Sequence, residues 1–267
     1  MSRTATIAVA GLVLLVLGAL LAPYVSPSGR DEIDLQHRNA APSLRHPFGT
    51  DDLGRDTLTR VLYGGRVSLA VGAVATLVAV GIGTLLGVVA GFRGGFVDTA
   101  VVHAVDVALS VPTFFVLLLL GSWWGASFGA LCLVLGLTNW MPVARLVRSA
   151  TQSLRERTHV EAARALGFGT RRIVLRHILP LAVAPILVAA ALACAQAILL
   201  EAALSFLGFG LQPPTPSWGN MLQEAQAHLY DAPWAAVFPG LLVLGTVLAL
   251  HTVADAVRDA LDPRLRA

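Results

Sequence analysis

The chain has 267 residues, 56% hydrophobic and only 13% charged, with a mean hydropathy of +0.73. A soluble domain carries about a quarter charged residues because its surface must be solvated, so a soluble globular fold is excluded and an all-α membrane protein is predicted. The net charge is +3 and all 19 cationic side chains are Arg; a chain without Lys has no Walker A loop, whose Lys reaches the terminal phosphates of a nucleotide.

The first apolar run long enough to cross the roughly 30 Å hydrocarbon layer is Ala5 to Val25. A cleaved signal peptide is the competing reading, because Arg3 precedes a stretch ending Ala-Leu-Leu-Ala. Pro23 follows that stretch and is a poor site for cleavage, and the run exceeds a usual signal core. Residues 26–66 form a long polar segment. Within it, Leu53, Leu58, Val61 and Leu62 fall on one face of Asp51 to Tyr63, which predicts a short helix lying on the membrane surface.

Further runs extend from Val67 to Gly91, Val101 to Gly121, Ser127 to Ala144, Leu181 to Leu204 and Trp234 to Val253, making six spans. Pro112 should kink the third, since it removes a helix hydrogen bond. Gly83 and Gly87 form a small-xxx-small pair suited to close helix packing.

Orientation follows from Arg. With the N-terminus inside, the inner segments hold Arg3, Arg93, the eight from Arg145 to Arg176, Arg258, Arg264 and Arg266. The outer ones hold Arg30, Arg38, Arg45, Arg55, Arg60 and Arg66. The excess places both termini in the cytoplasm. The pI near 9.4 is thereby a topology signal and not a nucleic-acid footprint. Cys132 and Cys194 lie in apolar runs without metal-ligand spacing, and no cofactor or metal site is expected on this chain.

The inner loop from Arg145 to Pro180 is far longer than a helix connection requires. His159 to Leu166 has high helix propensity, Gly167 supplies a stop, and a second helical stretch, Thr170 to Ile178, should end before Pro180. Ala162, Ala163 and Ala165 make a slim helix open to close approach. Arg164, Arg171, Arg172 and Arg176 suit acidic groups on a protein partner, or equally the anionic headgroups of membrane lipid.

Glu161-Ala162-Ala163, Gly167 and Ile178-Leu179-Pro180 resemble the EAA signature of permease subunits of ABC importers. Phe48-Gly49-Thr50-Asp51, Leu53-Gly54-Arg55-Asp56, Leu204 to Gly210, Ser217-Trp218-Gly219 and Asp255 to Arg264 are similar to the dipeptide/oligopeptide/nickel group, specifically its shorter-looped permease type. This resemblance implies a type I importer fold. Residues 1–66 would be the first helix and external loop, 67–253 the core permease domain and 254–267 a cytoplasmic tail. The core would carry a coupling segment at 145–180 and an external loop at 205–233. It further implies a coupling helix from Thr158 to Leu166, with Glu161, Ala162, Ala163, Arg164, Leu166, Gly167, Arg171 and Arg172 at the contact with an ATPase. The implied partners are a homologous second permease, two cytoplasmic ATPase subunits holding ATP and Mg, and an external solute-binding protein.

At membrane depth, Asp106 is costly unless it faces protein or water. It belongs either to a translocation path with Ser110 and Thr113 or to an interhelical charge pair. Glu201 would contact substrate, close an outer gate or snorkel to the interface. Asn139 and Trp140, beside Pro142, line a passage or mark the inner boundary, and His103 suits an interhelical hydrogen bond. No nucleophile–base arrangement is evident. The expected activity is peptide import, with nickel or another small solute as the alternative cargo. An ATP-independent channel or carrier, or a membrane scaffold, are the readings of other classes; both leave residues 145–180 without a role.

Overall fold

The computed structural model describes residues 3–124 and 127–261. Arg264 and Arg266, used above for orientation, and the end of the tail lie outside them. Among the described residues, nine helices of eight residues or more organise the molecule: α1 (Arg3–Leu20), α2 (Thr57–Arg93), α3 (Gly95–Ser110), α4 (Thr113–Trp124), α5 (Phe128–Arg155), α6 (Thr158–Ala165), α7 (Thr170–Phe206), α8 (Trp218–Ala225) and α9 (Trp234–Leu261). Five are long and apolar enough to span a membrane, and the pair α3–α4, bent by 79°, makes a sixth span if it counts as one.

Packing of α2 on α5 decides that count. A Cβ on Gly83 would stand 2.6 Å from Val143 Cβ, one on Gly87 2.7 Å from the Ala144 carbonyl, one on Gly91 2.6 Å from the Arg148 carbonyl, and one on Gly136 2.6 Å from Val78 Cβ. These pairs advance together along both helices, so α2 and α5 run parallel with their backbones in contact. Two parallel helices consecutive across α3–α4 require the bent pair to carry the chain back through the full thickness. It is a broken span, not a re-entrant loop. Asp98 of α3 is bonded to Arg148 at one end, while Leu117 of α4 packs with Val71, Leu204 and Leu211 at the other. The expected kink at Pro112 is thus a complete break at Val111–Pro112.

Helix α7 runs antiparallel to α2, with Gly72 against Ile198 and Ser68 bonded to Glu201. Helix α9 covers the outer half of α7 through Val243, packed with Ile198, Ala202 and Trp218. The last turn of α1 meets the first turns of α2, where Ala19 lies against Gly65.

Four expectations are corrected. No separate surface helix covers Asp51–Tyr63. Asp56 caps α2 by accepting from the Thr59 amide at 2.8 Å, and Thr57 to Arg66 are the opening turns of the second span. Helix α5 continues to Arg155, eleven residues past the expected end, because Ala144, Val147, Thr151 and Leu154 keep a buried stripe at helical spacing. The stretch from Thr170 does not end before Pro180. A π turn at Val174–Ile178, closed by the Leu179 amide on the Val174 carbonyl, admits the proline without a break, as such turns do in helices that must absorb an irregularity. Helix α9 likewise runs on to Leu261, through the start of the expected tail.

Candidate coupling segment and translocation path

The inner end of the bundle carries a helical elbow. Two residues, Glu156 and Arg157, separate α5 from α6, and α6 ends in a Schellman motif. The Gly167 amide donates to the Arg164 carbonyl at 2.9 Å and the Phe168 amide to the Ala163 carbonyl at 3.1 Å, with Gly167 at φ +77°. That conformation is open to glycine and costs other residues. Val160 and Ala163 are buried with Leu154, Ile173, Ile178 and Ala182, backed by Phe92 and Phe168. One face of α6 therefore anchors to the spans, Glu161, Ala162 and Leu166 are exposed on the other side, and Arg164 is exposed at its flank. Leu166 is 73% exposed, a large apolar side chain at the tip of the elbow.

The arginines divide by role. Arg164 lies 5.3 Å from the Phe92 ring and Arg172 4.1 Å from that of Phe168, so both are held over aromatic faces while remaining exposed. Arg171 and Arg176 are exposed with Gly169 and Leu175 along an open groove. At the root of α5, Arg148 grips Asp98 in a bidentate pair, Nη2 to Oδ2 at 2.6 Å, and Gln152 adds a third bond. These ties join the elbow's base to the broken span.

Among the candidate path residues, Thr113 and Asn139 come together in a cavity of about 380 Å³ between α3–α4, α5, α7 and α9. Thr138 and Pro142 line it too, with two residues that the sequence reading left off the path, Gln196 and His251. Both were legible as polar groups inside apolar spans. Leu109 and Thr113, which flank the break of the third span, also line it; irregular backbone at membrane depth is tolerated where it borders such a cavity. Asp106 is ion-paired with Arg145, both about half exposed. Ser110 donates to its own helix at the Val107 carbonyl. Glu201 is fully buried, accepting from Ser68 at 2.9 Å and Ser205 at 2.8 Å, away from the cavity.

A third cluster, unforeseen in its partners, ties the two outer segments. Arg55 and Arg60 both bond Asp51 at 2.7 Å, and both reach Glu224 of α8, at 3.0 and 2.6 Å. His46 bonds Asp56 at 2.9 Å beside them. Asp51, Asp52 and Glu224 bring three carboxylates together, and the guanidinium groups of Arg55 and Arg60 offset two of the three charges.

Comparison with known proteins adds a lineage to this geometry. Residues 83–267 match the family described as binding-protein-dependent transport system inner membrane component, and residues 1–42 match the N-terminal TM domain of oligopeptide transport permease C. The chain is 39% identical over 263 residues to the dipeptide transport system permease protein DppC of Alkalihalophilus pseudofirmus, covering 97% of this chain and 86% of the relative. It is 38% identical over 260 residues to the glutathione transport system permease protein GsiD of Pectobacterium atrosepticum, covering 96% and 86%. Its fold is similar to a chain of the inward-facing MetNI methionine ABC transporter, with a TM-score of 0.62, 21% identity, and 76% and 96% of the two chains covered.

Proposed function

The chain belongs to the family of binding-protein-dependent transport system inner membrane components, a multi-pass permease subunit of the cell membrane, and from that premise we propose that it imports short peptides and is driven through α6. The relatives named for dipeptide and glutathione transport support a peptide cargo. A homologous second permease would complete the path, an external solute-binding protein would deliver the cargo, and two cytoplasmic ATPase subunits would hold ATP and Mg. ATP chemistry falls to those partners because the chain has no Lys for a Walker A loop.

The observation that carries this reading is the two-sided α6. Its buried side, Val160 and Ala163, is continuous with the packing of α5 and α7, while Glu161, Ala162, Arg164 and Leu166 face outward. A partner seated on that face moves the spans as a rigid body, since packed elements shift between discrete arrangements and do not deform gradually. ATP biases the transition by its different affinity for the two states. Ala162→Trp tests the contact: the chain should still insert, and the ATPase subunits should no longer co-purify with it. A complex that keeps its ATPases through this substitution contradicts the proposal.

A further inference from the structure

The cavity at the break of the third span is a site whose chemistry can be read. Its depth follows from the helix register. Asn139 sits one turn before Val143, which faces Gly83, and Gln196 lies between Cys194 and Ile198, both of which meet Gly72. Gly72 to Gly83 is the middle of α2. Gln196 and His251 are exposed there, on helices whose neighbouring surface is apolar. A polar side chain at this depth is costly against lipid and faces protein or water.

The wall they form has a particular composition. Asn139 donates through Nδ2 to the Leu135 carbonyl at 2.9 Å, which fixes the amide and leaves its oxygen as an acceptor. Gln196 offers a donor and an acceptor, and His251 adds two ring nitrogens that can hydrogen-bond. Among the described residues, no carboxylate, guanidinium or thiol lines the cavity, and His251 is the one imidazole. A single imidazole makes no ligand set for a divalent transition metal. The half-exposed Asp106–Arg145 pair is not part of the lining, although Asp106 lies one turn before Leu109 and Arg145 directly precedes Leu146.

We propose that Asn139, Gln196 and His251 form a hydrogen-bonding subsite, built without a carboxylate or guanidinium, for the backbone amides of a translocating peptide, at the break in the third span. Amide groups present one donor and one acceptor per residue whatever the side chains are. Such a wall passes peptides without reading their sequence and offers a bare divalent cation only one imidazole and no carboxylate. This inference rests on the importer reading above and deepens it by assigning the residues that meet the cargo.

The test uses the complete importer, with its second permease, ATPases and binding protein, in proteoliposomes. With Cys132 and Cys194 replaced by Ala, Gln196→Cys should react with a permanently charged thiol reagent about ten-fold faster than Leu14→Cys on the lipid-exposed side of α1. Uptake of labelled trialanine should fall about ten-fold in Gln196→Leu and partly recover in Gln196→Asn, while ATP hydrolysis in the same vesicles continues. Equal labelling of the two cysteines, or undiminished trialanine uptake by Gln196→Leu, overturns the subsite. So does loss of both uptake and hydrolysis, which marks Gln196 as structural. Wild-type vesicles that carry Ni2+ and no trialanine overturn the peptide chemistry, whereas the contact at α6 stands or falls on the Ala162→Trp complex.

Discussion

Arg60 and Glu224, separated by 164 residues, meet at 2.6 Å on the outer side of the bundle. Arg60 is almost wholly buried, at 3% side-chain exposure, and it also bonds Asp51. Without Arg60, Asp51 and Glu224 must share the single guanidinium of Arg55, and one buried charge goes uncompensated. Arg60→Ala is therefore expected to lower stability by about 3 kcal/mol. Replacing both by Met should cost less than either single change, because no charge is then left without a partner. Thermal unfolding of the four proteins in detergent checks this, and a larger loss for the double variant would contradict it.

The parallel contact of α2 and α5 gives a second expectation. At Gly87 any Cβ meets the Ala144 carbonyl and Val147 Cβ within 3 Å, while at Gly81 nothing lies within 4 Å. Gly87→Leu should prevent assembly of a stable chain, and Gly81→Ala should be neutral or mildly stabilising, as alanine favours a helix over glycine by about 1 kcal/mol. Yield of monodisperse protein after membrane extraction separates the two.

Glu201 supplies a third. Its carboxyl oxygens are taken by Ser68 and Ser205 in a fully buried setting. Glu201→Gln, which retains acceptor and size, should keep most stability and uptake. Glu201→Ala leaves both hydroxyls without their acceptor and should cost about 2 kcal/mol. Strong loss of uptake in Glu201→Gln with stability intact would instead place this side chain on the path.

Local chemistry made part of this architecture legible in the sequence. The turn at Gly167 and the helix before it follow from propensity and the left-handed stop, and both stand in the structure at Thr158–Ala165. The six spans follow from length and hydropathy. What sequence concealed is set by distant neighbours. Leu53 to Leu62 has an apolar face whether it lies on a membrane or opens a span, and the cap at Asp56 with Trp218 Nε1 on the Val61 carbonyl decides for the span. Pro180 reads as a stop until the π turn ahead of it is seen. Glu224 carries no local sign that two arginines 164 and 169 residues away converge on it. Gln196 was visible as a polar group in an apolar helix, but only the break at Val111–Pro112 reveals the cavity it faces.

The account depends most on α6 as the rigid link to an ATP-driven partner, and Gly167→Val tests it directly. No atom of this chain lies within 4 Å of the position that a Cβ would take at Gly167, so within the chain the substitution acts through its φ of +77°, at a cost of about 1–2 kcal/mol. Peptide uptake and ATP hydrolysis are to be measured together in proteoliposomes holding the complete importer. The expected result is uptake per ATP reduced about ten-fold, with hydrolysis persisting. Uptake per ATP equal to that of the wild type, in a complex that retains its ATPases, would contradict the claim that the elbow transmits the work.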